Sequence, residues 1–266
     1  MLKHPVRKII TNCVWQQLEP AVAAAKHSQG GAPGEMSDQE FLEAVLHLQR
    51  TGSPWRDLPP ELLLLACRLH ALPALGSARH LAAALAKPAS RTFRRGPRLA
   101  PGFDHGTGAP PCGGRIKKKD AGDQALGRSR GGLSTKIHAA TLDENCAVAL
   151  RLTPGQAHDG QQFESLYESL PADTVLEAAL LDRGYDADRI RARLALDGIT
   201  AVIPPLPARS AKPPFDQELY RGRNRIERFF NKLKQFRRLA TRYDKLAKTF
   251  LAALHLVAAF LILKNS

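Results

Sequence analysis

Ala178-Ala179-Leu180-Leu181-Asp182-Arg183-Gly184-Tyr185-Asp186 holds a strand, an acid and a turn in nine residues. Four consecutive apolar residues leave no polar face, which is the pattern of a strand covered on both sides. An amphipathic helix is predicted from Asp186 to Leu196, with Asp186 as its cap and Gly198 as its stop, and Ile199 to Pro204 is the next strand. Upstream, Leu133–Thr141 and Val148–Leu152 read as two strands joined by the turn Asp143-Glu144-Asn145, and Gln162–Leu170 is a helix candidate. Downstream, Arg223–Leu239 reads as one long basic helix and Lys245–Leu263 as a final apolar one. Strands first, then alternating helix and strand, give an α/β fold: a mixed sheet flanked by helices.

The N-terminal part has a different texture. Residues 1–35 read as irregular, with Gly30-Gly31-Ala32-Pro33-Gly34 as a linker. Ser37-Asp38-Gln39-Glu40 is a capping box that opens a helix, and Gly52 and Pro54 end it. With Trp55-Arg56-Asp57-Leu58-Pro59-Pro60 it makes a small helical unit over 36–60. Residues 61–86 could form an apolar helix, and 87–119 have no period and read as loop. So long a structureless stretch is out of place in a compact protein. Order returns at Gly127, and 120–266 reads as a second folded unit.

The chain has 266 residues and a formal net charge of +14, with a pI of about 10.0. Such a balance points to a polyanionic partner, nucleic acid ahead of a membrane surface. Cys13, Cys67, Cys112 and Cys146 are scattered without a C-x-x-C pair, which speaks against structural zinc and a disulfide framework. The run Phe250–Leu263 is read as too short to span a bilayer and as a buried core helix.

Two elements carry chemistry. Tyr220, Arg223, Glu227 and Lys234 follow one another at steps of 3, 4 and 7. On a single helix those steps keep all four near one face. The plainer reading is a solvated helix with an Arg223–Glu227 pair, worth roughly a few tenths of a kcal/mol. From Arg221 to Lys248, however, there are eleven Lys or Arg and only two acids, Glu227 and Asp244. A helix of that kind can track a phosphate backbone, and an acid kept against the trend suggests a metal ligand. The second element is Asp182, at the carboxyl end of the quoted strand, where ligands of open α/β sheets gather. It is too early to cap the next helix, and its carboxylate is of the kind that holds Mg²⁺.

These residues resemble a family. Tyr-x2-Arg-x3-Glu-x6-Lys, carried here by Tyr220, Arg223, Glu227 and Lys234, is similar to the signature of DDE transposases of the insertion-sequence-four and -five groups. The blocks Gly127–His138, Leu152–Asp159, Asp182–Asp186 and Trp55–Pro60 resemble further family text in order. The resemblance covers about 36–60 and 120–263. It implies an RNase H-like fold in which three carboxylates hold two divalent ions, Mg²⁺ or Mn²⁺, for in-line displacement at phosphorus. Asp182 would be the second carboxylate and Glu227 the third. Arg223, Lys234 and Arg228 would meet DNA phosphates, and Tyr220 would pack on or bond to DNA near the cut. His158 is a weaker candidate, equally explained as a surface histidine beside a helix start. The implied partners are double-stranded DNA (terminal inverted repeats and target) and further copies of the chain, with no membrane, on the nucleoid in a bacterial cytoplasm.

One part of the family text is missing. Its first carboxylate stands on the first sheet strand, in Leu-Asp-Ser-Thr, and no such text occurs here. The nearest acid is Asp104, with no strand pattern around it, and Asp120 and Asp123 lie too near Gly127. Codons for Gly102–Gly114 can be chosen so that a one-base shift reads Asp-Ser-Thr-Thr-Ala-Arg-Ala-His-His-His-Ala-Ala. Leu69–Leu81 yields family-like text in the same shifted frame. The expectation is a chain frameshifted between about 61 and 116, whose sheet misses the first catalytic strand or fills its place with an unrelated segment, and which is impaired in DNA cleavage and strand transfer. Two other readings stay open: a non-catalytic DNA-binding remnant, and an active enzyme using Asp104.

Overall fold

The computed structural model describes residues 8–25, 37–59, 62, 98–107 (as backbone), 124–129, 132–172 and 174–265. The proposed linker at Gly30–Gly34, most of the proposed apolar helix 61–86, Asp120, Asp123, Cys67 and Cys112 lie outside these residues.

Helix α1, Asn12–Ala25, occupies a stretch expected to be irregular. Ile10, Val14 and Leu18 recur every four residues and are buried against the main core. The Glu43 carboxylate, itself buried, accepts the Ile9 and Ile10 N–H groups just ahead of the helix. Helix α2 is Asp38–Thr51. The Ser37 hydroxyl accepts the Glu40 N–H and the Glu40 carboxylate accepts the Ser37 N–H, so two orphan amides are satisfied reciprocally. Gly52 ends the helix at φ 75°, a conformation a side chain would strain. Trp55–Asp57 adds a 3-10 turn.

Among the described residues the sheet has six strands: β1 Arg98–Thr107, β2 Gly127–Ser129, β3 Gly132–Thr141, β4 Ala147–Pro154, β5 Ala178–Leu180 and β6 Thr200–Val202. Its order is β2-β3-β1-β5-β6, with β4 also on β3. Strand β3 runs antiparallel to β1, β2 and β4, whereas β1, β5 and β6 run parallel. The expected loop over 87–119 is therefore corrected at 98–107, and the expected gap at the sheet centre is filled. Pro101 and Gly102 are poor strand formers, so local pattern hid this strand. Its pairing comes from the two neighbours, β3 and β5, whose edges would otherwise stand open. Asp104 faces Ile137 in the β1–β3 register.

The remaining helices are α3 Phe163–Tyr167, α4 Asp188–Leu196, α5 Gln217–Tyr220, α6 Asn224–Lys234, α7 Arg237–Thr241 and α8 Ala247–Lys264. Helix α3 is shorter than expected, with a 3-10 turn at Asp159–Gln162 before it. The single basic helix expected over Arg223–Leu239 is broken. A 3-10 turn at Arg221–Arg223 precedes α6, and Phe236, in extended conformation, separates α6 from α7. Phe236 is buried edge-on to Phe260 of α8, so packing sets the break.

One core joins α1, α2, α6 and α8 to Ile137, Ala139, Ala147 and Leu150 of β3 and β4. The other joins Phe163, Leu166, Ile190 and Leu194 to Ala179, Leu181 and Tyr185. Helix α8 is longer than the apolar run suggested. By length and composition it could cross a membrane, yet 72% of it is buried inside this fold.

Candidate active site

Side chains alternate along β5, which divides the quoted stretch between two faces. Ala179 and Leu181 enter the core with α3 and α4. Ala178 and Leu180 meet Phe215, Leu219 and Tyr220 instead. The same alternation sends Asp182 toward Tyr220. Asp182 is partly exposed and extended, at φ −73° and ψ 162°. Its Oδ1 accepts the Arg183 N–H at 2.8 Å and opens the 3-10 turn Arg183–Tyr185; it does not cap α4, whose N-cap is Ala187.

The turn Arg221–Arg223 brings the second element to this edge. It sits so close to β5 that a Cβ on Gly222 would lie 3.2 Å from Leu180 Cδ2. Arg223 is thereby held over the strand end. Its Nη2 donates to Asp182 Oδ2 at 3.2 Å and its Nη1 to Glu227 Oε1 at 2.7 Å. One guanidinium therefore spans both acids, and its own dimensions cap the separation of those oxygens at roughly 8 Å. The Arg223 side chain is 21% exposed, Asp182 33% and Glu227 56%, so a large anion can reach the pair from the Glu227 side.

The Tyr220 hydroxyl donates to Asp182 Oδ1 at 3.4 Å, a long contact. Its ring packs edge-on to Phe215 at 5.1 Å, and the Arg223 guanidinium lies 6.0 Å from the ring centre. Burial pushes the Tyr220 phenol up, Arg223 opposes this, and Asp182 adds to the rise.

Not every expected residue joins the cluster. Lys234 ends α6 and is exposed. Arg228 donates to Glu144 Oε2 at 2.9 Å, and Lys232 donates to Glu144 at 3.1 Å and Asn145 at 2.7 Å. This locks the β3–β4 turn to α6, and the Arg228 hydrogen bond, then that of Lys232, holds the Glu144 carboxyl below its usual range. His158 is exposed ahead of the 3-10 turn Asp159–Gln162 and makes no capping bond there. Asp186 does not cap α4, whose N-cap is Ala187. Arg242, one of the eleven basic residues, is buried at 3% exposure and bonds to Thr135 and to the Gln124 carbonyl.

Two residues, Lys136 and Tyr185, were present in the quoted blocks without a role. Lys136, on β3, donates to the Ala157 carbonyl at 2.7 Å and to Asp159 Oδ1 at 3.0 Å. Tyr185 is 1% exposed and its hydroxyl has no hydrogen-bond partner. Burial, then the charges of Asp159 and Asp182, push its phenol far up. A charged residue in the middle of an otherwise buried strand is the signal that would have marked Lys136.

Among the described residues, no group of three or more His, Cys, Asp or Glu stands close enough to hold a metal. Asp182 and Glu227 offer two hard oxygen donors, a set that suits a divalent ion keeping several waters.

Residues 103–262, well over half of the chain, match the family described as "Transposase DDE domain". Residues 10–64 match "Putative transposase of IS4/5 family". A curated protein of Brucella ovis, "Putative transposase for insertion sequence element IS6501", is 37% identical over 133 residues, which are 50% of this chain and 100% of that protein.

Proposed function

Because the chain belongs to the DDE transposases of the IS4/5 family, we propose that its Asp182–Arg223–Glu227 cluster is the remaining part of a metal-dependent centre for DNA cleavage and strand transfer at insertion-sequence ends, impaired in this form. The observation that carries the reading is the bridge itself. Two acids 45 residues apart, on a strand end and a helix, meet across one guanidinium. The order β4-β3-β1-β5-β6, antiparallel on one side and parallel on the other, supports an RNase H-like core.

In this reading Asp182 and Glu227 would hold a divalent ion, Mg²⁺ or Mn²⁺, which would supply Lewis-acid stabilisation for in-line displacement at phosphorus. Arg223 binds the phosphate beside them. Tyr220 keeps the Asp182 carboxylate oriented through its hydroxyl. Exposed Lys234, and Arg228 beyond its contact with Glu144, continue the positive track along the duplex. A cytoplasmic protein on the nucleoid fits this partner.

The impairment rests on the missing third acid. A second reading is a DNA-binding remnant without catalysis. Asp104 stands on β1, two residues along from the position that the one-base shift would turn into aspartate.

DNA binding tests the shared part of both readings. Affinity for duplex DNA should fall at least tenfold between low and moderate salt, because neutralising phosphates releases counterions. Replacing Arg223 and Lys234 together by Gln should weaken binding and flatten the salt slope. Binding that ignores salt would overturn the interface. Catalysis separates the readings: with Mg²⁺ the chain as written should cut inverted-repeat DNA slowly, and Asp182→Asn should abolish that cutting, if it is an impaired enzyme, whereas a remnant should not cut until its frame is restored.

A further inference from the structure

We propose that Arg223 is the resident cation of the Asp182–Glu227 pair, so that a divalent ion and DNA enter the site together: a DNA phosphate draws the guanidinium away and frees the two acids. This rests on the reading of the site given above and adds a gate to it.

Three observations carry the proposal. First, the guanidinium uses both terminal nitrogens on the acids, at 3.2 Å to Asp182 and 2.7 Å to Glu227. Those are the oxygens a metal would need. An ion of charge +2 arriving there meets a fixed positive charge at contact distance, which opposes it. Second, the Arg223 Nε is buried and has no hydrogen-bond partner. A planar fork of five donors matches a phosphate as well as it matches a carboxylate. The unspent donor marks this arrangement as leaving part of the fork's capacity unused. Third, Arg223 ends a 3-10 turn between two helices, a place where short rearrangements concentrate. Exposed Arg183, Arg221 and Arg225 stand near it in the chain or across the strand end, and they would keep a phosphate close.

The consequence is reciprocal coupling. If DNA strengthens metal binding by some factor, metal strengthens DNA binding by the same factor. Neither needs the reaction to proceed, so the gate can be read in a chain that does not cut.

The experiment measures free Mn²⁺ by electron paramagnetic resonance during titration of the full chain, with and without a short duplex. Binding by the duplex alone is subtracted, and folding of each variant is checked by circular dichroism. The unaltered chain should bind Mn²⁺ at least tenfold more tightly with DNA. Arg223→Gln should bind Mn²⁺ at least tenfold more tightly than the unaltered chain without DNA, and should lose most of the DNA dependence. Arg223→Lys, a point charge that cannot span both acids, should fall between them. Adding Asp182→Asn or Glu227→Gln to Arg223→Gln should abolish the gained site. Equal Mn²⁺ affinity with and without DNA in the unaltered chain, or no gain in Arg223→Gln, would overturn the gate while leaving the site intact, provided the acid variants still abolish binding. Mn²⁺ binding that ignores both acids would overturn the site and the gate with it.

Discussion

Asp186 shows how far one residue can depart from its local reading. Its side chain is fully buried and accepts the Leu206 N–H at 2.7 Å, Arg191 at 2.8 Å and Arg209 at 3.3 Å. It thereby pins the segment after β6 to the start of α4. Burial alone would raise its carboxyl, but the Leu206 N–H and Arg191 hold it below the ordinary range. Asp186→Asn should cost about 1–3 kcal/mol, since it leaves the half-buried Arg191 guanidinium without its counter-ion. With the folded pKa depressed, the stabilisation is complete above about pH 4 and fades as pH falls through the folded value. Melting temperature measured from pH 6 down to pH 3 should therefore drop less in the variant than in the unaltered chain. An identical acid profile would mean that the clamp is not what titrates. The sequence could not announce this clamp, because Leu206 and Arg209 lie 20 and 23 residues away. The Ser37–Glu40 box was legible because all its partners fall within four residues. Arg223 lies between these cases. Its pair with Glu227 follows from helical spacing, whereas its bond to Asp182 spans 41 residues and needed the fold.

Among the elements, β3, β4 and β5 were readable from apolar runs and turn residues. Strand β1 was not, since Arg98-Leu99-Ala100-Pro101-Gly102 has the composition of a loop. Tertiary pairing overrode that composition. Helix α1 was missed for the opposite reason: three apolar residues at spacing four are a thin signal until α8 covers them. The parallel register sets Leu99 beside Ala179. Carried on by three residues along both chains, it sets Gly102 level with Asp182. The one-base shift independently places its aspartate across the codons of Gly102 and Phe103. Gly102→Asp should therefore tighten Mn²⁺ binding at least tenfold in the presence of DNA, and Asp104→Asn should change it less than twofold. A larger loss from Asp104→Asn than the gain from Gly102→Asp would make Asp104 the third acid and remove the reason to call the chain impaired.

At the scale of the whole molecule, a charge of +14 pointed to a polyanionic partner, as fits a transposase family, but did not show how the charge is used. Arg242 is spent inside the fold over Phe250, 4.9 Å from its ring centre, and Arg238 on Asp244 at 3.3 Å. The two family matches, over 10–64 and 103–262, leave 65–102 between them. That gap holds Leu69–Leu81, whose shifted frame reads as family text, whereas all of Gly102–Gly114 but its first residue lies inside the DDE-domain match. The central claim is that the chain retains the DNA-facing helix and two acids of a transposase but has lost the third. Its most direct test is strand cleavage at the encoding element's own inverted repeats in Mg²⁺, comparing the chain as written with one whose reading frame is restored from Glu61 to Lys117. The restored protein should cut at least about a hundredfold faster, the scale on which losing one member of a catalytic unit is felt. Equal rates would contradict the claim, and would require the chain as written to complete its site with an acid it already carries.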